Sequence, residues 1–251
     1  MTRTSRRRMD RHPKKSFGDK IRTFFAVVLL LVGIGLLALN PIKDYLIKSG
    51  TESNQISHFT RDDVLANMNK NVTYDFNDIK EIDAARLVQD KFLKGVNPND
   101  LPVVGGIAIP DLGINLPIHL GVSDAGMYLG AGTLRQDQKM GQGNYPLASH
   151  HGLDKDLLFA PLERAKNGQK IYLTDLDKVY EYTINYVEHV SPTSVYLIND
   201  TQDKLVTLIT CDNTVGNRIA VRGQLTDEMK IENASDKILK AFNMPKSLKQ
   251  S

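Results

Sequence analysis

The 251 residues include one cysteine and no tryptophan. A solitary thiol cannot form an intramolecular disulfide, so it stays free or pairs with another chain. His, Cys, Asp and Glu nowhere cluster at ligand spacing, which leaves a metal site without its donors. Internal repeats are absent too. Positive charge is also scarce over most of the chain. The formal net charge is +3, from 32 Lys and Arg against 29 Asp and Glu. Residues 1–23 hold nine of those cations against Asp10 and Asp19, leaving 23 basic and 27 acidic residues in the remainder. Nucleic-acid binding needs a basic face on the folded part, and with none apparent no nucleic-acid partner is expected. What is present, 41% hydrophobic and 24% charged residues, suits an ordinary globular protein of one or two domains.

Long hydrophobic runs are limited to one. Residues 24–39 are uninterruptedly apolar. At about 1.5 Å per residue they reach roughly 24 Å, short of a bilayer core of about 30 Å. Counting from Ile21 to Ile42 gives about 33 Å, with Arg22 snorkelling to the headgroups. A cleaved secretory signal has a shorter apolar region closed by a small-x-small site. Here the one obvious such pair, Gly33 and Gly35, lies inside the run with more apolar residues after it. The expectation is an uncleaved anchor over 21–42. By the positive-inside rule the basic tail 1–20 is expected to be cytoplasmic, and residues from about 43 onward extracellular.

Residues 43–77 are polar and weakly patterned, and read as a stalk. The segment 78–100 is expected to be helical, with Ile79, Ile82, Ala85, Phe92 and Leu93 on one face at 3.6 residues per turn. From 101 to 226 short β-type runs alternate with Gly, Asn and Asp. They cover 103–109, 114–120, 128–134, 145–150, 170–174, 179–187, 205–211 and 218–225, with a short helix over 157–165. Tyr180, Tyr182, Ile184 and Tyr186 alternate with polar residues in the sixth run. Eight strands over this length predict a mainly β, closed barrel or sandwich. Residues 227–251 read as a polar, peripheral tail.

A lone cysteine on an apolar strand is more often a core residue than a nucleophile. Alternation puts Leu205, Thr207, Ile209 and Cys211 on one face, which does not discriminate. Two features favour chemistry. Cys211 ends its run immediately before the polar loop Asp212–Asn217, and an oxidisable thiol kept outside the cell invites a functional explanation. Among the histidines, His12 lies in the tail, while His58, His119 and His189 stand alone and read as structural or solvated. His150 and His151 are adjacent, so on a strand they face opposite ways. Arg218 and Arg222 share a face of the last run; each alone reads as a solvated charge. The short connection from 211 to 218 predicts a hairpin that brings Arg218 near Cys211.

Thr207-Leu-Ile-Thr-Cys211, Leu147-Ala-Ser-His150 and the trailing Arg218 together resemble a class A sortase, the membrane-anchored transpeptidases of Gram-positive bacteria. The similarity extends over about 101–225, including Gly105-Gly-Ile-Ala-Ile-Pro110 and Gly130-Ala-Gly-Thr133. Leu-Ala-Ser-His departs from the family's Ala-Gly-His form by one small residue.

The resemblance implies an eight-stranded sortase-type β-barrel and a Leu-Pro-x-Thr-Gly-type sorting signal as substrate. It implies Cys211 as nucleophile, His150 as acid and base, and Arg218 as donor to the substrate carbonyls or the oxyanion. Ala148, Thr207 and Ile209 would line the groove for the Leu-Pro end. The implied partners are surface proteins bearing that C-terminal signal, a cell-wall precursor amine and the membrane. No cofactor is expected, because acyl exchange conserves the bond energy in a thioester. A peptidase releasing its acyl group to water, or a non-catalytic surface receptor, would carry many of the same residues. One branch of the family uses calcium, and gap-free counting from His150 puts Arg135, Gln138 and Gln142 at its ligand positions. Asp137 is the only carboxylate between Thr133 and His150. Calcium prefers several oxygens with negative charge among them, so no calcium requirement is expected.

Overall fold

Eight strands close into one barrel in the order β1-β2-β3-β4-β7-β8-β6-β5. The computed structural model describes residues 17–75, 100–152, 154–211 and 216–245. The chain divides into two units, residues 1–42 and 43–251. The strands are β1 (Val103–Ile109), β2 (Ile114–His119), β3 (Ala131–Thr133), β4 (Asn144–Ala148), β5 (Lys170–Thr174), β6 (Lys178–Val190), β7 (Leu205–Cys211) and β8 (Arg218–Lys230). β2–β3 and β4–β7 are parallel pairs and the other ladders are antiparallel. A closed ladder leaves no free edge to template aggregation.

The barrel interior follows from period-two alternation. Leu147 of β4, Val206 and Leu208 of β7, and Ile219 and Val221 of β8 all enter one apolar cluster. The opposite faces of these three strands are therefore available for a site. In β6, Tyr180, Tyr182 and Ile184 enter the core as their alternation predicts. Tyr186 does not. A register shift between Ile184 and Tyr186 reverses the alternation, so that Val187 packs inward instead.

Several element boundaries differ from the sequence reading. The third run was expected as a strand over 128–134, but only Ala131–Thr133 pairs. Before it lies helix α3 (Asp124–Leu129), whose N-terminal amide of Gly126 donates to the Ser123 hydroxyl. That cap satisfies a donor a strand would have left unpaired. β4 ends at Ala148, before either histidine. The helix expected over 157–165 is a 3-10 turn, Ala160–Arg164.

Helix α1 (Phe17–Ser53) contains the apolar run. The stretch Lys20–Ser53 is the one helix among the described residues long and apolar enough to cross a membrane. The stalk reading of 43–77 meets a different structure. α1 continues to Ser53, and Ile47 is buried in the barrel cluster. A second helix, α2 (Arg61–Met68), starts with a capping box between Thr60 and Asp63. The tail reading of 227–251 is corrected likewise. β8 runs on to Lys230, and helix α4 (Asp236–Ala241) follows. Ile56, Val64, Ile238, Leu239, Phe242 and Met244 form a second apolar cluster with Val103, Ala108, Tyr172 and Val179. Each flanking segment has too few apolar residues to form a core alone, and together they cover the outside of β1, β5 and β6. The helix expected at 78–100 lies almost wholly outside the described residues.

Candidate active site

Three neighbouring strands build the site on the face turned away from the barrel core. β7 lies between β4, to which it is parallel, and β8, to which it is antiparallel. Ala148 pairs with Ile209, and Cys211 pairs with Arg218. The hairpin read from the short 211–218 connection is therefore present, with thiol and guanidinium on directly opposed residues. Beyond Ala148 the ladder continues briefly, with the Ser149 amide donating to Ile209 O at 3.3 Å and the Thr210 hydroxyl to Ser149 O at 2.9 Å. Continuing that parallel register by two residues sets His150 level with Cys211. Main-chain pairing alone thus gathers a thiol, an imidazole and a guanidinium at one end of the β4–β7–β8 surface.

Cys211 is a free, half-buried thiol. Arg218 is half-buried, and its Nη1 donates to Asn217 O at 3.2 Å. His150 is buried, with its ring stacked on Tyr128 of α3 at 5.0 Å between centroids and 21° between planes. Its Nε2 has no hydrogen-bond partner among the described residues. Burial pushes the imidazole down to about 4, because water no longer solvates the charged form. At neutral pH the ring is therefore uncharged, with an open nitrogen for a proton.

The two adjacent histidines serve different surroundings. His151 Nε2 lies 2.8 Å from Glu163 Oε1, and its Nδ1 lies 3.0 Å from Gly152 O. This ring ties the segment after β4 to the 160–164 turn. His119 is also buried and pushed down to about 4 by desolvation, with Nδ1 3.0 Å from Gly126 O. It supports α3 from below.

The three expected groove residues separate into two environments. Ala148 belongs to an apolar cluster with Val122, Met127 and Leu134, and Ile198 and Ile209 pack against it. This is an apolar floor beside the thiol. Thr207 is fully buried, and its hydroxyl donates to Asn144 Oδ1 at 2.7 Å. It also accepts from Arg222 Nε at 3.2 Å. Sequence reasoning missed Tyr128, because α3 had been read as strand, and Asn144, which had no chemical signal of its own. Arg222 had only its shared face with Arg218 to mark it.

The loop before β4 is organised around a cation. Arg135 meets Asp137 Oδ1 at 3.0 Å and Asp200 Oδ1 at 3.3 Å, and donates to Ile198 O at 3.2 Å. Gln138 Oε1 accepts from the amides of Leu134 and Arg135, while its Nε2 donates to Pro146 O. Among the described residues no three His, Cys, Asp or Glu are grouped to hold a metal ion.

A family model for the sortase domain matches residues 107–226. The chain is 40% identical over 242 residues to sortase A of Streptococcus agalactiae, covering 93% of this chain and 96% of that protein. It is 36% identical over 192 residues to sortase A of Listeria monocytogenes, covering 76% and 85% respectively. The crystal structure of the Listeria sortase A superposes with a TM-score of 0.53 at 41% identity, over 57% of this chain and 99% of that one. Sortase C-3 of Streptococcus pneumoniae, at TM-score 0.55 and 18% identity over 78% of this chain and 98% of that one, shares the fold.

Proposed function

The chain belongs to the sortase family of transpeptidases, and from that premise we propose that it cuts a Leu-Pro-x-Thr-Gly-type sorting signal through a thioester on Cys211. The acyl group then passes to an amine of a cell-wall precursor, which anchors the surface protein. The observation that carries this reading is the register of β7, with Cys211 opposite Arg218 on one side and level with His150 on the other.

The chemistry follows from the residue types. The neutral His150 ring takes the Cys211 proton, and the sulfur attacks the carbonyl carbon of the signal's threonine, forming a C–S bond. Arg218 donates hydrogen bonds to the substrate carbonyls or to the oxygen that gains charge, where a planar fork of donors orients better than an ammonium. Collapse breaks the C–N bond to glycine, and His150 returns its proton to the departing amine. Burial that disfavours imidazolium makes this second transfer easy. The acceptor amine loses a proton to the neutral ring, attacks the thioester carbonyl and releases the sulfur, to which the proton returns. The apolar floor of Ala148 and Ile209 suits the Leu-Pro end of the signal.

In this reading residues 21–42 anchor the protein, 1–20 remain cytoplasmic and the barrel of 101–226 works outside. The test is incubation of the full-length protein in detergent with a sorting-signal peptide, with and without an added amine. A ligated product that disappears in Cys211→Ala is expected. Hydrolysis alone with amine present would make the protein a peptidase, and peptide binding without turnover would make it a receptor.

A further inference from the structure

Three consecutive backbone carbonyls, those of Leu197, Ile198 and Asn199, are each held by a side chain from elsewhere in the barrel. Asn144 Nδ2 donates to Leu197 O at 2.8 Å and to Asn199 O at 2.9 Å. Arg222 Nη2 donates to Leu197 O at 2.8 Å, and Arg135 reaches Ile198 O. These carbonyls end the 3-10 turn Val195–Ile198, whose last acceptors have no partner within the turn.

Beneath the turn the bonds close into a circuit. Arg222 donates to the Thr207 hydroxyl, Thr207 donates to Asn144, Asn144 donates to Leu197, and Leu197 also accepts from Arg222. Asn144 and Thr207 are fully buried, so opening the circuit strands polar atoms away from water. Tyr186 lies under the Arg222 guanidinium at 6.0 Å and helps fix it. The circuit stands apart from the reacting groups along the hairpin, since Arg222 pairs with Thr207 and Arg218 with Cys211.

The turn borders the apolar floor. Ile198 packs on the cluster that contains Ala148 and against which Ile209 also packs. Among the described residues Val195 and Tyr196 are 67% and 61% exposed, a large apolar display beside that floor. Within the turn Leu197 is buried and Ile198 packs on that cluster, and the carbonyl anchors add a directional hold that apolar contact by itself does not supply.

We propose that Asn144, Thr207 and Arg222 are positioning residues that hold the 195–198 turn as one wall of the substrate groove, and so set affinity for the sorting signal without taking part in bond making. The assignment rests on the transpeptidase reading above. It explains why a second arginine sits on the same face as Arg218 yet turns away from the thiol.

The test compares full-length wild type, Arg222→Met and Arg222→Lys in detergent for peptide transfer, with amide hydrogen exchange over 194–200. Arg222→Met keeps the stem and removes both donors. KM for the peptide should rise about tenfold, the factor that corresponds to roughly one net hydrogen bond, with kcat within about twofold. Exchange across the turn should speed up, and Arg222→Lys should recover part of both effects. Unchanged KM, or a fall in kcat at constant KM, overturns the proposal. If wild type shows no Cys211-dependent transfer the transpeptidase reading fails instead, and unchanged exchange in Arg222→Met would then overturn the anchoring by itself.

Discussion

Two buried, uncharged histidines make the barrel acid-sensitive above the range where its carboxylates titrate. His150 and His119 are each pushed down to about 4 by burial, against about 6.5 in the unfolded chain. A folded-state value below the unfolded one means that the unfolded chain binds more protons between them. Stability is therefore complete above about pH 6.5 and falls as pH drops toward 4. Each histidine contributes a loss of about 1 kcal/mol between pH 6 and pH 5, and about 3 kcal/mol over the whole interval. Together they remove about 2 kcal/mol in that one unit, a sizeable part of an ordinary domain's 5–15 kcal/mol. Asp63, Asp137 and Asp200 are held below the usual carboxylate value by their hydrogen bonds, so they do not contribute until lower pH. The assay is urea unfolding of the full-length protein in detergent at half-unit steps from pH 7 to 5, for wild type and His150→Gln. The variant should lose about half of the slope, because His119 remains. A wild-type midpoint that does not move over this range, or an unchanged slope in the variant, would refute the burial argument.

Peptide transfer should separate the adjacent histidines, with His150→Gln losing at least about a hundredfold in kcat/KM and His151→Gln keeping substantial activity; reversed losses would exchange their roles. Phe242→Ala should lower stability by about 3–5 kcal/mol in the same urea assay, because the ring is fully buried in the cluster that binds the C-terminal segment to β1, β5 and β6. A change below about 1 kcal/mol would mean that the segment is dispensable. Calcium against excess chelator should alter transfer less than several-fold, because the Arg135 cation already faces Asp137 and Asp200. Protease added to wall-stripped cells should digest the barrel and spare an N-terminal fragment; a mature protein beginning near residue 40 would replace the anchor with a cleaved signal.

The barrel was legible because its strands carry their own pattern. β1, β5 and β7 begin and end where the apolar runs do, and Tyr180, Tyr182 and Ile184 declare the inner face of β6 by alternation. The membrane-length helix was legible for a similar reason, since length and hydropathy are local properties. Cys211 and Arg218 were within reach because the connection between them is short enough to force a hairpin, so their pairing is nearly a local fact as well.

Other features depend on partners distant in sequence. Nothing around Ile56 or Val64 shows that they are buried; that follows from Phe242 and Ile238, which meet them only after the barrel closes. The reversal at Tyr186 comes from pairing with β8, where one extra residue is absorbed. The neutrality of His150 follows from its burial against Tyr128, on a helix whose start is set by a single serine cap. Asn144, Thr207 and Arg222 come from three strands, and only the β4–β7–β8 ladders make them one circuit. Sequence by itself determined where most strands and the apolar helix form and that Cys211 lies across a hairpin from Arg218, because periodicity and chain connectivity act over a few residues. Tertiary structure alone decided burial, charge state and the bonds that hold the 195–198 turn, because desolvation and side-chain hydrogen bonds depend on neighbours that no short stretch of sequence contains.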